Sequence, residues 1–180
     1  MKRYFTLLTL LLLVATHTGA QTITVPDANF RNFLVATYLG TSQSGNTVTF
    51  TTPSVTSITF MDCSSQNISD LTGIEHFTAL TELRCYDNQL TSLDVSNNTA
   101  LQVLYCYNNQ LTSLNVSNNT ALQLLYCFNN QLTSLNVSNN TALTELYCPN
   151  NQLTSLNVSS NTALTDLRCY DNQLTSLNVS

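Results

Sequence analysis

Basic residues are scarce in this chain. Lys2 is its single lysine, and beyond Arg3 the only strong bases are Arg31, Arg84 and Arg168. Ten Asp and Glu residues stand against those three arginines, so the chain from Gln21 onward carries a formal −7. An acidic, lysine-free surface argues against nucleic acid and anionic membranes, which are bound through positive charge. Histidine is nearly missing as well: His76 is the only one after His17. The usual general bases and nucleophile activators are therefore lacking, which argues against an enzyme, and no cofactor is implied. Long apolar runs are confined to Tyr4–Ala15. That run is short for a membrane span and nothing later is apolar enough for one, so no membrane insertion is expected once it is removed.

The start of the chain has its own pattern. Lys2 and Arg3 are followed by Leu7, Leu8 and Leu10 to Leu13, then by the small residues Thr18-Gly19-Ala20. Residues 1–20 read as a secretory signal peptide with Gln21 as the mature start, which predicts a secreted or cell-surface protein. A retained N-terminal anchor is the alternative. No cysteine follows the cleavage site, which argues against a lipoprotein. About 160 residues remain, enough for one domain.

What is abundant is repetition. The segment Thr78–Asn98 recurs from Thr99, Thr120, Thr141 and Thr162, the last copy stopping at Ser180. A degenerate copy precedes them, with Ile58, Met61, Cys63, Gln66, Ile68 and Leu71 matching Leu80, Leu83, Cys85, Asn88, Leu90 and Leu93. Six coils result: 57–77, 78–98, 99–119, 120–140, 141–161 and an incomplete 162–180. Each reads Leu-x-x-Leu-x-Cys-x-x-Asn-x-Leu. Leu83 and Cys85 are two apart, so on a strand both point inward. Asn88 follows at a corner, where its amide can satisfy backbone groups left unpaired by the turn. Stacking predicts a ladder of Asn88, Asn109, Asn130, Asn151 and Asn172. The second half of the unit, Leu90-x-x-Leu93-x-Val95-x-x-Asn98, repeats the pattern and predicts a second ladder of Asn98, Asn119, Asn140 and Asn161. Two short strands and two corners per coil predict two parallel sheets and a solenoid roughly 30 Å long.

This nested 21-residue unit resembles the IRREKO class of bacterial leucine-rich repeats, over roughly Ser57–Ser180. The fold that follows is a leucine-rich-repeat solenoid, in the α/β superhelix class but mostly β here. Residues 21–56 form an N-terminal cap. A helix over about 27–38 is predicted, with Asp27 as N-cap and Phe30, Phe33, Leu34 and Tyr38 on one face. Gly40 to Gly45 reads as a loop, and Val48, Phe50 and Val55 as short extended pieces. The stretch Ile68–Phe77 is similar to the entry repeats of internalin-type and flavobacterial surface proteins. The opening Val25–Phe30 is similar to the latter. These resemblances imply an extracellular, non-enzymatic recognition or adhesion module with a protein partner. At the C-terminus the expectation is either a tolerated open edge or further chain.

Six cysteines in an exported protein invite a disulfide reading. Cys63, Cys85, Cys106, Cys127, Cys148 and Cys169 instead occupy one equivalent position per coil. Neighbouring strands place such residues about 4.8 Å apart with parallel side chains. A disulfide needs Cβ atoms nearer about 3.8 Å. Six buried free thiols acting as small hydrophobes are predicted. No metal site is expected, because the ladder lacks convergent tetrahedral geometry. Glu82, Asp87, Glu145, Asp166 and Asp171 read as solvated surface charge, and His76 as lying on an exposed turn after the first coil.

The informative signal is where the copies differ. Outward positions of the second strand barely change: Ser92, Asp94, Ser96 become Ser113, Asn115, Ser117, and so on. Outward positions of the first strand diversify. One column runs Phe60, Glu82, Val103, Leu124, Glu145, Asp166. The next runs Asp62, Arg84, Tyr105, Tyr126, Tyr147, Arg168. The third runs Ser64, Tyr86, Tyr107, Phe128, Pro149, Tyr170. The predicted binding patch is Val103, Tyr105, Tyr107, Leu124, Tyr126, Phe128 and Tyr147, flanked by Arg84, Arg168, Glu82, Glu145 and Asp166. Aromatic anchors with a charged rim suit a protein partner. Three other readings stay open: sugar rings stacking on the same face, aromatic pairs that only stabilise the sheet, and a spacer that holds another domain off the cell surface.

Overall fold

The computed structural model describes residues 19–51 and 54–179. The signal-peptide reading falls almost wholly outside them. Every copy of the repeat contributes one short strand to a parallel sheet: β4 (Phe60–Asp62), β5 (Glu82–Arg84), β6 (Val103–Tyr105), β7 (Leu124–Tyr126), β8 (Glu145–Tyr147) and, after the second-face strand β9 (Ser155–Asn157), β10 (Asp166–Arg168). Leu83, Leu104, Leu125, Leu146 and Leu167 lie directly opposite one another along this sheet. The register cannot slip by one residue without turning this leucine row out to solvent. Within a coil, Leu80, Leu83, Cys85, Leu90, Leu93 and Val95 all point inward and are buried. At about 1.5–3 kcal/mol for a buried leucine, this thin core supplies most of the driving force.

A core so narrow forces tight corners, and corners strand backbone groups. The first asparagine ladder meets that demand. Asn130 donates to the carbonyls of Cys106 and Cys127 (both 3.1 Å) and accepts the Leu111 N–H (3.0 Å). Asn109 and Asn151 repeat the pattern one coil to either side. Each amide therefore binds its own coil and the preceding one. The second ladder is built differently. Asn119 donates to Val95 O (3.0 Å) and Asn98 O (2.9 Å), and Asn140 and Asn161 follow suit. Its four buried Oδ1 atoms, on Asn98, Asn119, Asn140 and Asn161, have no partner among the described residues.

The second parallel sheet predicted for every coil is present only in part. It consists of β9 paired with β11 (Ser176–Asn178) and a single bridge between Asp94 and Asn115. The same face carries a repeated local bond. Ser96 N–H turns back to Asp94 Oδ1 (2.9 Å), and Ser117 and Ser138 do the same to Asn115 and Asn136 (3.0 Å each). Ser159 N–H does the same to Asn157 at the end of β9 (3.0 Å), so the bond occurs in the paired coil as well as in the unpaired ones.

The N-terminal end is sealed by a small antiparallel sheet of order β1-β3-β2 and one helix. β1 is Gln21–Thr24, α1 is Ala28–Thr37, β2 is Thr41–Ser44 and β3 is Thr47–Phe50. The loop predicted for Gly40–Gly45 is thus a strand, turned by Gly45 at φ +55°. Its Thr-Ser-Gln-Ser side chains stay largely exposed, so no apolar alternation marks it. Val55 lies in a 3₁₀ turn rather than an extended piece. The cap docks through Phe50, edge-on to Phe77 at 5.8 Å. Gly73 permits close contact: at φ +109°, a Cβ there would meet Thr24 O at 2.9 Å. Asp27 both caps α1, accepting from Asn29 and Phe30, and reaches Ser69, whose N–H and Oγ donate to it at 2.9 and 2.8 Å. At the other end Leu177 and Val179 are exposed, whereas the equivalent Leu156 and Val158 are buried.

Two predictions follow from these bonds. Asn130→Ala leaves a buried N–H and two carbonyls short of a partner and is expected to cost about 3 kcal/mol or more in urea unfolding. Asn136→Ala on the exposed second face should cost less than about 1 kcal/mol. Equal losses would remove the ladder from its central role. The second prediction concerns acid. Burial alone would raise the Asp27 carboxyl, but hydrogen bonds from Ser69, Phe30 and Asn29 outweigh it and hold the group below its ordinary 3.8. A depressed folded value means stability that is present above the unfolded value and lost as pH falls through the folded one. Thermal melts should therefore show a drop below about pH 4. Asp27→Asn should flatten it.

Candidate functional site

In-register stacking turns the diversified columns into ring stacks. Side chains at equivalent positions of neighbouring coils lie about one strand spacing apart, close to the contact distance of parallel rings. Tyr105, Tyr126 and Tyr147 stack with centroids 4.6 and 4.2 Å apart and planes within 20°. Tyr86, Tyr107 and Phe128 form a second stack at 4.6 and 4.3 Å. Most of these rings are half-buried because they cover one another. Faces between stacked rings are occupied, so along each stack solvent meets ring edges and hydroxyls. Val103 and Leu124 form a half-buried apolar pair beside the first stack.

The flanking charges close the first stack at both ends. The Arg84 guanidinium sits 5.7 Å from the Tyr105 centroid and 5.4 Å from that of Phe60. It is held by Glu82 at 2.6 Å and by Asp62 at 3.8 Å. Arg168 lies 4.3 Å over Tyr147 and pairs with Asp166 at 3.2 Å. The Tyr126 hydroxyl donates to Glu145, and the Tyr147 hydroxyl to Asp166. Glu82, Glu145, Asp166 and both arginines are thus engaged within the face rather than standing free around it. Burial, then the bond to the Glu145 carboxylate, pushes the Tyr126 phenol well above its usual 10. The bond to Asp166 does the same for Tyr147, and in return the Asp166 carboxyl is lowered.

A feature that the sequence reading passed over runs beside the second stack. Asp87, Asn108, Asn129, Asn150 and Asp171 all adopt left-handed backbone, with φ of 52–53°. Asn and Asp tolerate this conformation better than other side chains. Their exposed amides bond in series: Asn108 Nδ2 to Asp87 Oδ1 (2.6 Å), Asn129 to Asn108 (2.6 Å) and Asn150 to Asn129 (2.8 Å). The unbroken column of Asn or Asp just before each buried Asn was the available signal. A cavity of about 440 Å³ opens where the two ring stacks end, lined by Phe128, Tyr147, Pro149, Asn150, Arg168 and Tyr170 among others.

The thiols lie on the inner side of the same strands. All six are free; five are buried and Cys169 is half-buried. Burial raises Cys63, Cys106 and Cys148 to about 12. Thiols held that high stay protonated and poorly nucleophilic at neutral pH. Among the described residues no group of three or more His, Cys, Asp or Glu is placed to hold a metal. His76 is exposed in the 3₁₀ turn Ile74–His76.

The phenol bonds give a direct test. Glu145→Gln should lower the ionisation pH of Tyr126 while leaving Tyr147 raised, as read by absorbance near 295 nm on alkaline titration. Because the folded value lies above the unfolded one, this pair's contribution is complete below about pH 10 and is lost as pH rises beyond it. An unchanged titration would show that the bond carries no weight.

No protein-family model matches the chain. Among curated proteins it is similar to internalin J of Listeria monocytogenes serotype 4b (strain F2365), at 42% identity over 73 residues, which is 41% of this chain and 8% of that protein. Among solved structures it is similar to the functional domain of internalin J from Listeria monocytogenes, described as including a cysteine ladder. The TM-score is 0.80 and the identity 40%, over 91% of this chain and 37% of that one. The Listeria monocytogenes internalin InlF follows at a TM-score of 0.74 and 25% identity, over 84% of this chain and 47% of that one. The chain therefore spans less than half the length of each of these relatives. Its fold is the leucine-rich-repeat solenoid of the internalin type.

Proposed function

We propose that the ring-bearing face of the six-stranded sheet is a protein-recognition surface, carried by an extracellular, non-enzymatic adhesion module. The observation that carries this is the contrast between the two faces of one solenoid. Both arose from the same repeat, yet one keeps small Ser and Asn side chains while the other displays two stacks of rings, one of them closed by arginines at both ends. Tyr and Arg are the residue types that dominate protein interfaces. Stacking also fixes the rings before any partner arrives, so little side-chain freedom is left to lose on binding. The likeness to internalin J supports this reading, as does the leader pattern of residues 1–20 for a place outside the cell. Among the described residues no helix is long and apolar enough to cross a membrane.

Ring geometry favours a protein over a glycan. A sugar packs its C–H groups on a broad aromatic surface, and the faces between rings within these stacks are taken. The test immobilises the chain and screens it against purified extracellular protein domains and, in parallel, a glycan array. A saturable protein ligand is expected. Replacing Tyr105, Tyr126 and Phe128 together with Ala should weaken it by about a hundredfold or more, with the circular dichroism spectrum retained. Undiminished binding would move the site elsewhere. A glycan ligand without a protein one would change the partner class.

A further inference from the structure

The second ring column is interrupted at one coil. Position 149 is a proline where its neighbours in the column are Tyr86, Tyr107, Phe128 and Tyr170. A proline ring closes on its own backbone and does not reach outward as a phenyl group does. Phe128 gives one face to Tyr107 at 4.3 Å, and its other face looks toward position 149. Tyr170 stands one coil further on, its carbonyl accepting the Asn150 N–H at 3.2 Å, so the register is kept across the interruption. Tyr170 is 60% exposed and stacks on no ring among the described residues. Two coil spacings separate Phe128 and Tyr170, roughly 9–10 Å. Adjacent rings elsewhere on this face sit 4.2–4.6 Å apart. The opening is thus one ring thick, and the 440 Å³ cavity lies there with buried Pro149 as its floor.

We infer that this cavity receives one uncharged, hydrogen-bond-donating aromatic side chain, a tyrosine or a tryptophan, from the protein partner. The inference rests on the protein-recognition reading above and names the chemistry of its anchor. Thickness selects a planar ring, since the Phe128 face and Tyr170 stand two coil spacings apart. Charge selects a neutral, electron-rich one. Among the described residues Arg168 lines the cavity and no carboxylate does, so a cation finds no counter-charge there, while the π face of Phe128 repels an anion. The rim selects a donor. Asn150, which lines the cavity, gives one Nδ2 hydrogen to Asn129 Oδ1, while its own Oδ1 accepts no hydrogen bond among the described residues. The amide ladder therefore leaves an acceptor oxygen at its end beside the opening, able to take a phenol O–H or an indole N–H.

The experiment titrates the full chain with N-acetyl-tryptophanamide, N-acetyl-tyrosinamide, N-acetyl-leucinamide, N-acetyl-argininamide and N-acetylglucosamine, followed by NMR. The aromatic amides should bind saturably, with upfield-shifted ring protons and contacts to Phe128, Pro149 and Tyr170. The leucine and arginine amides and the sugar should bind at least about tenfold more weakly. Pro149→Tyr should fill the cavity with the chain's own ring, abolish probe binding and keep or raise the melting temperature. Phe128→Leu removes one wall and should weaken the probes by about tenfold, which guards against a fold defect in the first variant. No saturable aromatic binding, equal binding of the leucine or arginine amide or of the sugar, or binding undiminished by Pro149→Tyr would each overturn the inference. A partner lost by the triple variant of Tyr105, Tyr126 and Phe128 but kept by Pro149→Tyr would overturn the anchor and leave the recognition surface standing.

Discussion

Everything in this solenoid depends on coils stacking in strict register, and a buried amide enforces it. A 21-residue turn encloses a core only a few side chains wide, so the chain must bend sharply between strands three residues long. Each bend leaves N–H and C=O groups inside, where an unpaired group is costly. Asn109, Asn130 and Asn151 answer this with one side chain that donates to two coils and accepts from the earlier one. Leucine rows supply attraction and exclude a slip of one residue, but a slip of two would return them to the core side. The amides supply the discrimination, because a displaced coil would lose all their bonds at once.

Register then determines what the outer surface can be. Any residue type repeated at an outward position becomes a column at ring-stacking distance. Tyrosines at that spacing stabilise the sheet and also present a rigid surface, so the stabilising and recognising readings are not exclusive. The charges belong to the same assembly. Arg84 and Arg168 close one stack, and Glu145 and Asp166 hold its hydroxyls. Changing one of them would disturb the arrangement of its neighbours as well as a local charge.

Much of this was legible in the sequence because repeats average out local ambiguity. A single Leu-x-Cys pair says little, but five aligned copies fix which residues face inward and where the corners fall. What stayed hidden was what the repeat does not encode. β2 carries no apolar alternation because its side chains face water. The partial pairing of the second sheet was hidden too, because the hydrophobic pattern is the same in paired and unpaired coils. Within the site, the columns were readable but the ring orientations were not. Glu82 and Glu145 looked like free rim charges until their partners were seen. Pro149 stood in the column from the start. Its meaning emerged only when Phe128 beside it proved to be stacked face to face on Tyr107.

The asparagine ladders have a mechanical side. Their bonds run from coil to coil, along the solenoid axis, so a load applied between the two ends of the chain meets them one rung at a time. Under tension such a molecule should peel rather than rupture, each step freeing a coil of 21 residues, about 70 Å of extended chain. A tether at a cell surface built this way lengthens by near-equal increments at a nearly constant force while the coils not yet peeled keep their shape.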